Sequence, residues 1–155
     1  MPSAPKILVI NGPNLNMLGV REPAVYGRAT LGDVEKLCRR HARPLGLALD
    51  FRQSNIEGEL VTWIQESRKD HAGIIINAGA YTHTSIAILD ALQTAELPVI
   101  EVHLSNIYRR EDFRHHSYVS LAARAVICGL GPTGYRLALE AMAESALERK
   151  IGARG

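Results

Sequence analysis

Short, continuously apolar runs alternate along the chain with longer stretches in which apolar residues recur every three or four positions. The short runs are typical of strands buried on both faces, and the spaced pattern is typical of amphipathic helices. Strands are predicted at residues 6–11, 47–52, 73–77, 99–103 and 125–128. Helices are predicted at residues 31–44, 57–70, 84–95 and 133–150.

Polar residues mark the starts of two of these helices. Thr30 is followed three residues later by Asp33, and Thr84 directly precedes the apolar run SIAILDAL. A threonine hydroxyl in this position accepts hydrogen bonds from the first free N–H groups of a helix. Both threonines are therefore predicted N-caps.

The regular alternation of strand and helix predicts an α/β fold with one parallel sheet covered by helices on both faces. Right-handed crossovers leave few arrangements for five such strands. The prediction is a flavodoxin-like three-layer sandwich with strand order 2-1-3-4-5. The sequence contains no repeat and no internal linker, so residues 1–155 are predicted to form a single domain.

Composition narrows the class of protein. With 155 residues, 46% of them hydrophobic and 22% charged, the chain resembles an ordinary soluble globular domain. A formal net charge of +2 is too small to indicate nucleic-acid binding. No apolar run approaches the roughly 18 residues of a membrane span, and the N-terminus lacks a secretory pattern, so we expect a cytoplasmic protein. Cys38 and Cys128 are expected to be buried reduced thiols.

Three neighbouring strands of the predicted sheet end in a polar residue. These residues are Asn11, Asn77 and His103. Because ligands of open α/β sheets bind beyond the carboxyl ends of the strands, we expect all three side chains to reach the same edge. The residues alone indicate a site for a small anion at that edge.

The loops after the strands carry most of the unusual residues: NGPNLNMLGVREPAVYG, NAGAYTHTS, HLSNIYRREDFRHHS and CGLGPTGY. The first connection, residues 12–30, is far longer than the usual length of about two to six residues. Long ordered loops of this kind are usually functional, and the segment REPAVYG is predicted to act as a mobile lid.

Three other kinds of site are disfavoured. The glycines between 129 and 134 spell G-x-G-x-x-G, but after the last strand, which favours a tight entry into the final helix over dinucleotide binding. A receiver-type phosphoacceptor needs acidic residues after the first strand, where this chain has NGP. The six histidines show no metal-ligand spacing.

Together the three longest loop motifs, in this order and followed by GLGPTGY, resemble type II dehydroquinase (3-dehydroquinate dehydratase) over nearly the whole chain. The resemblance implies the flavodoxin-like fold and anti elimination of water from 3-dehydroquinate, giving 3-dehydroshikimate. It implies no metal and no cofactor. It also implies a homododecamer built from trimers.

The resemblance further implies roles for residues that match the motifs. Tyr26 matches the base that removes the C2 proton, and Arg21 matches the loop cation beside it. Asn14 matches the residue that holds a water against the enolate, and His103 matches the general acid. The remaining matches bind or support the substrate: Asn77, His83 and Arg114 for hydroxyl groups, Leu104 and Ser105 for the carboxylate, Arg110 and Glu101 as electrostatic partners, and Asp90 as a residue reaching into a neighbouring subunit's site.

A tyrosinate base is energetically reasonable. Lowering a tyrosine pKa from about 10 to about 7 takes roughly 4 kcal/mol. One guanidinium about 4 Å away contributes on the order of 4 kcal/mol at an effective dielectric near 20, before desolvation of the phenolate is subtracted. A second cation is therefore useful, and Arg110 or Arg114 could supply it.

Taken singly, each residue also has an ordinary structural interpretation. Tyr26 could pack the loop, Arg21 could be a solvated charge, and Asn14 could form a turn.

Two rival functions stay open: a non-catalytic module that binds a small carboxylate, and a different lyase or isomerase acting on a cyclic polyol acid. The sequence also leaves open whether the reaction serves aromatic biosynthesis or quinate breakdown.

Overall fold

A computed structural model of the chain describes residues 3–20 and 22–154, without the side chains of residues 25, 26, 150, 151, 153 and 154. It contains one five-stranded sheet whose neighbouring strands are all parallel. The strands are β1 (Lys6–Asn11), β2 (Ala48–Gln53), β3 (Gly73–Asn77), β4 (Val99–His103) and β5 (Ala125–Cys128). Their order, β2-β1-β3-β4-β5, confirms the predicted α/β topology.

The helices within the described residues are α1 (Pro23–Tyr26), α2 (Leu31–Ala42), α3 (Glu57–Ser67), α4 (Ile86–Ala95) and α5 (Thr133–Arg154). Helices α2 and α3 end before the predicted residues 44 and 70, whereas α5 extends past 150. The single-turn helix α1 was not predicted, because one turn is too short to show a helical period. The second strand lies one residue later than predicted.

One of the two predicted N-caps is confirmed. Thr30 and Asp33 form a reciprocal capping box at α2, in which each side chain accepts the other's backbone N–H at 3.1 and 3.0 Å. The prediction for Thr84 was wrong by one position. Ser85 caps α4 by accepting the N–H of Ile88 at 2.9 Å, while Thr84 ends the preceding 3-10 turn, Gly79–His83.

Two apolar layers lie on opposite faces of the sheet. In β1, Ile7 and Val9 face the layer formed with α2 and α5, whereas Leu8 and Ile10 face the layer formed with α3 and α4. Strands β1, β3 and β4 are almost fully buried, which is why their residues are apolar on both faces. The core therefore fixes the central strands, and their carboxyl ends form a rigid edge.

The loops after β1 and β3 touch at Gly12. A Cβ on this residue would lie 2.2 Å from the Ala78 carbonyl oxygen, closer than any real contact, so only glycine fits. The Gly12 N–H donates to the Asn77 carbonyl at 2.8 Å. This approach brings the residues that follow β1 against the end of β3.

Both cysteines are unpaired, but their surroundings differ. Cys38 is fully buried on α2, and burial together with nearby Glu35 raises the pKa of its thiol to about 12. Cys128 is only half-buried, so the expectation of two buried thiols was wrong for this residue. It lies at the end of the edge strand β5, which has a neighbour on one side only.

No helix in the described part of the chain is long and apolar enough to cross a membrane.

Candidate active site

A pocket opens at the carboxyl edge of β1, β3 and β4, where the sequence placed the site. Eight of the predicted site residues line it: Asn14, Asn77, His83, His103, Leu104, Ser105, Arg110 and Arg114. They come from the last residues of β3 and β4 and from the loops that follow β1, β3 and β4. The tertiary structure therefore brings together residues spread over about two thirds of the chain.

His103 is the residue at the end of β4 that faces this pocket. Its Nε2 lies 2.5 Å from Oε2 of Glu101, two residues earlier on the same face of the strand. The contact leaves Nδ1 as the ring nitrogen that can exchange a proton with a molecule in the pocket. Glu101 itself does not line the pocket and is fully buried behind His103.

Two serine hydroxyls hold the Glu101 carboxylate from the other side. Ser117 donates to it at 2.9 Å and Ser120 at 2.7 Å. Burial raises the pKa of Glu101, but the hydrogen bond and charge of His103, with the two hydroxyls, outweigh burial and hold this pKa below its ordinary range. Glu101 is thus an ionised carboxylate. Ser117 and Ser120 were not predicted as site residues, and serines in a loop give no signal of such a contact.

His83 lies beside His103, with the two rings nearly parallel at 14° and their centroids 6.5 Å apart. Its Nδ1 is 2.7 Å from the His116 carbonyl, which can only accept, so Nδ1 carries the hydrogen and Nε2 of the neutral ring is an acceptor. Burial lowers the pKa of His83, and the charges of His103 and Arg114 lower it further. The ring is therefore held neutral.

Two guanidinium groups, those of Arg110 and Arg114, stand at the pocket wall and are mostly buried, with side chains 13% and 17% exposed. Arg114 donates from Nε to Glu111 at 2.6 Å. Arg110 lies 3.7 Å from the Glu22 carboxylate, which immediately precedes α1. Both guanidinium groups thus line the pocket while each also pairs with a carboxylate, and the Glu22 contact ties the long first loop to the rim of the pocket.

Asn14 has a left-handed backbone, with φ of 67°, at the start of the turn Leu15–Met17. Its N–H donates to Oδ1 of Asn55 at 3.0 Å, and Gln53 donates to the same oxygen at 3.2 Å. Gln53 also donates to the Gly12 carbonyl at 3.1 Å. Gln53 at the end of β2 and Asn55 after it thus hold the loop after β1, and neither was predicted to support the site.

Three other predicted site residues have no described side chain in the pocket. Arg21 lies outside the described residues, and only the backbone of Tyr26, the last residue of α1, is described. Asp90 is exposed on α4 and does not line the pocket of its own chain. Its predicted position in a neighbouring subunit's site is compatible with this exposure and stays a prediction.

The prediction that Asn11 reaches the same edge as Asn77 and His103 was wrong. Asn11 is fully buried beneath the pocket, where its Nδ2 donates to the Arg52 carbonyl at 3.0 Å and its Oδ1 accepts from the Tyr135 hydroxyl at 2.7 Å. The two hydrogen bonds hold the side chain inside the fold. Tyr135, whose hydroxyl group is buried on α5, was not predicted either.

The interpretation of the glycines at 129–134 as a tight helix entry is confirmed. Strand β5 ends at Cys128 and α5 begins at Thr133. Gly129 has φ of 92°, and its N–H donates to the His103 carbonyl at 3.3 Å. The N–H of Gly131 donates to the Leu104 carbonyl at 3.0 Å. The loop between β5 and α5 therefore supports the start of the loop after β4.

The assembled groups suit one kind of ligand. Guanidinium groups recognise an anion, whereas the Asn77 amide and the neutral His83 ring recognise hydroxyl groups. His103, backed by an ionised carboxylate, can move a proton. Among the described residues, no three His, Cys, Asp or Glu side chains gather as metal ligands would.

The chain matches the family model of the class II dehydroquinases over residues 5–143. It is 63% identical over 137 residues to a 3-dehydroquinate dehydratase of Methylobacterium radiotolerans, covering 88% of this chain and 92% of that protein. It is 60% identical over 138 residues to 3-dehydroquinate dehydratase 2 of Pseudomonas aeruginosa, covering 89% and 93%.

A solved structure gives the same result. The crystal structure of type II dehydroquinase from Propionibacterium acnes superposes with a TM-score of 0.88 at 44% identity, covering 93% of this chain and 99% of that one. Sequence and fold agree, and the chain belongs to the class II dehydroquinases.

Proposed function

We propose that this class II dehydroquinase removes water from 3-dehydroquinate by anti elimination through an enolate and forms 3-dehydroshikimate, a step of the shikimate pathway. Residues 1–155 form its single catalytic domain. The relatives that carry the name 3-dehydroquinate dehydratase support the reaction. The observation that carries the mechanism is that His103 lines a pocket walled by two guanidinium groups, while the buried Glu101 carboxylate holds its Nε2 from behind.

The base step belongs to Tyr26. Its phenolate takes the C2 proton, and the electron pair left on carbon forms the enolate. Support comes from α1, which ends at Tyr26, and from the contact of Glu22, just before α1, with Arg110 at 3.7 Å. Arg21 and the guanidinium groups at the pocket wall favour the phenolate over the neutral phenol.

The enolate oxygen is stabilised by a water molecule that Asn14 holds. Such an oxygen gains most from donors that are already in place, because no reorganisation is then needed during the reaction. The hydrogen bond from Asn14 to Asn55 supports this role, since it fixes a backbone that would otherwise be free to change conformation.

The acid step belongs to His103. Protonated at both nitrogens, its ring gives the Nδ1 hydrogen to the departing C1 hydroxyl, which leaves as water, while the enolate collapses to the conjugated product. Glu101 accepts the Nε2 hydrogen throughout and supplies the counter-charge of the protonated ring. The proton that Tyr26 gained must then return to His103 or solvent before the next cycle.

Substrate hydroxyl groups are bound by Asn77, His83 and Arg114. The geometry of His83 supports this, because its Nε2 is an acceptor on the pocket side of a ring whose Nδ1 is already bound. The carboxylate is bound at Leu104 and Ser105, where backbone N–H groups of a strand-to-loop turn suit an anion. Arg110 adds positive charge to the same wall.

The active form is a homo-oligomer, a dodecamer built as a tetramer of trimers, in which Asp90 reaches into a neighbouring site. Large apolar side chains stand exposed on the single chain, among them Ile86 on α4 at 54%, Phe113 at 67% and Leu121 at 70%. Burying such side chains against another copy would be favourable, because it removes apolar surface from water. A light-scattering mass near the 17.0 kDa of one chain would overturn the assembly.

The test of the reaction is a continuous ultraviolet assay of the purified protein with 3-dehydroquinate in the presence of a chelator, following the conjugated product. Tyr26→Phe keeps the ring and removes the base, and we expect kcat to fall by roughly 100- to 10,000-fold. Tyr108→Phe is the matched control, because Tyr108 is 61% exposed and does not line the pocket.

The outcomes separate the alternatives. A folded wild type that binds 3-dehydroquinate without turnover would identify a binding module, and one that ignores it would identify a different substrate. Wild-type turnover with near-normal activity in Tyr26→Phe would keep the reaction and overturn the tyrosinate base.

A further inference from the structure

The hydroxyl group of Tyr135 joins two asparagines beneath the pocket. It donates to Oδ1 of Asn11 at 2.7 Å and accepts from Nδ2 of Asn77 at 2.9 Å. Tyr135 and Asn11 are 0% exposed and Asn77 is 4% exposed, so water cannot replace these bonds freely. Of the three residues, only Asn77 lines the pocket.

The hydrogen bonds that run through Asn11, Tyr135 and Asn77 each have one possible direction, which is fixed by backbone groups at the two ends of this network. At one end Asn11 Nδ2 donates to the Arg52 carbonyl at 3.0 Å, and a carbonyl can only accept. Asn11 must therefore present its oxygen to Tyr135, and Tyr135 must donate to it. The oxygen of Tyr135 is then left to accept from Asn77.

At the other end Oδ1 of Asn77 accepts the backbone N–H of Gly79 at 3.2 Å, and an N–H can only donate. The Asn77 amide therefore has one orientation that satisfies both of its neighbours. A flipped amide would set its NH2 against the Gly79 N–H and its oxygen against the Tyr135 oxygen. One Nδ2 hydrogen and one lone pair of Oδ1 are left over for a ligand.

We propose that Tyr135 is a positioning residue, which orients the Asn77 amide so that its second Nδ2 hydrogen is presented to a hydroxyl group of the substrate. The inference rests on the proposed function, in which Asn77 binds 3-dehydroquinate. Tyr135 touches no ligand and acts only through Asn77. Burial also raises the pKa of Tyr135 above its ordinary value, so its hydroxyl keeps its hydrogen at any working pH.

Tyr135→Phe tests this role with the ring left in place. Asn77 then loses the acceptor of its Nδ2 and is oriented by the weaker contact with the Gly79 N–H alone, at 3.2 Å, so substrate binding should weaken. We expect KM for 3-dehydroquinate to rise about three- to tenfold with kcat changed less than about twofold, because one neutral hydrogen bond is lost from ground state and transition state alike. In the Asn77→Ala background, Tyr135→Phe should leave KM unchanged.

Ser67→Ala is the matched control for loss of a buried hydroxyl. Ser67 is 0% exposed and donates to the Ile64 carbonyl at 2.6 Å near the end of α3, outside the pocket. The Ser67→Ala substitution should lower the urea midpoint without changing KM. A purely structural Tyr135 would behave like Ser67, with reduced stability and an unchanged KM, and that result would overturn the inference.

Asn11→Ala covers the case in which Tyr135→Phe does not fold. It leaves Tyr135 present but frees its hydroxyl to donate towards Asn77, so the same rise in KM is expected, again absent in the Asn77→Ala background. A rise that persists without Asn77 would show action by another route and overturn the inference. Wild-type protein that leaves 3-dehydroquinate unchanged would overturn the proposed function and the inference with it, whereas active wild type with a normal KM in both variants overturns only the inference.

Discussion

Nε2 of His103 and Oε2 of Glu101 lie 2.5 Å apart at the buried end of β4. The same carboxylate accepts hydrogen bonds from the hydroxyl groups of Ser117 and Ser120. With His103, which faces the pocket, three groups therefore hold it. A fully buried carboxylate with this many partners is fixed in position and charge. The imidazole ring therefore has one orientation.

Glu101→Gln should lower kcat with a much smaller change in KM. The amide keeps the size of the side chain but removes the counter-charge of the protonated ring, and we expect a loss of at least about tenfold, as for other carboxylates that orient a catalytic histidine. The ultraviolet assay measures it. Glu59→Gln, on the exposed side of α3, is the control and should be unchanged. Wild-type kcat in Glu101→Gln would contradict the role.

His83 should make the stability of the protein depend on pH below neutrality. Burial holds the pKa of His83 below the ordinary value of about 6.5, so the folded ring stays neutral while the unfolded ring takes up a proton. Its stabilising effect is complete above about pH 6.5 and is lost as pH falls towards the lowered folded pKa.

Urea midpoints measured between about pH 7.5 and 5 check this prediction. His83→Gln has no proton to gain in that range, so its midpoint should fall less steeply than that of the wild type. His41, on α2 outside the pocket, provides His41→Gln as the control, which should follow the wild-type curve. Parallel curves for wild type and His83→Gln would contradict the prediction.

Two glycine substitutions should have opposite effects. Gly12→Ala places a Cβ 2.2 Å from the Ala78 carbonyl oxygen, so the two loops must separate, and we expect destabilisation of at least about 1–3 kcal/mol. Gly58→Ala, in α3 with open space around the new Cβ, should stabilise by up to about 1 kcal/mol.

Denaturant unfolding of the two variants measures both values. Because Gly12 sets the distance between Asn14 and Asn77, Gly12→Ala should also raise KM, whereas Gly58→Ala should not. An unchanged stability for Gly12→Ala would show that the loops can part at little cost.

Asn55 should matter through the position of Asn14. Asn55→Ala removes the acceptor of the Asn14 N–H, and the left-handed backbone of Asn14 loses its support. We expect kcat to fall by about three- to tenfold, the equivalent of one neutral hydrogen bond. Asn55→Asp keeps an oxygen acceptor and should retain most of the activity, and equal losses in both variants would contradict the hydrogen-bond explanation.

Much of the fold follows from local patterns. Buried parallel strands such as β3 need apolar residues on both faces, so GIIIN was recognisable, and Thr30 with Asp33 marked a helix start within four residues. The start of a helix is harder to predict where two neighbouring residues can both act as its N-cap. Ser85 rather than Thr84 caps α4, because both have a hydroxyl and only the geometry of the preceding turn decides between them.

The pocket could be predicted in place and in most of its members, because polar residues at the ends of adjacent strands must meet at one edge. Asn11 was misplaced for the same reason. Position at a strand end does not say whether a side chain turns to the pocket or to the interior. The Tyr135 hydroxyl, 124 residues further along the chain, decides that it turns inward.

The sequence by itself determined the parallel α/β sheet, the edge that carries the site and, through the resemblance of its long motifs, the family. These follow from periodicity and from the order of residues along the chain. Only the tertiary structure decided that Ser117 and Ser120 hold Glu101, that Asn55 supports Asn14, and that Tyr135 orients Asn77. The physical reason is that a hydrogen bond between residues distant in sequence depends on distance and direction in space, which no local pattern encodes.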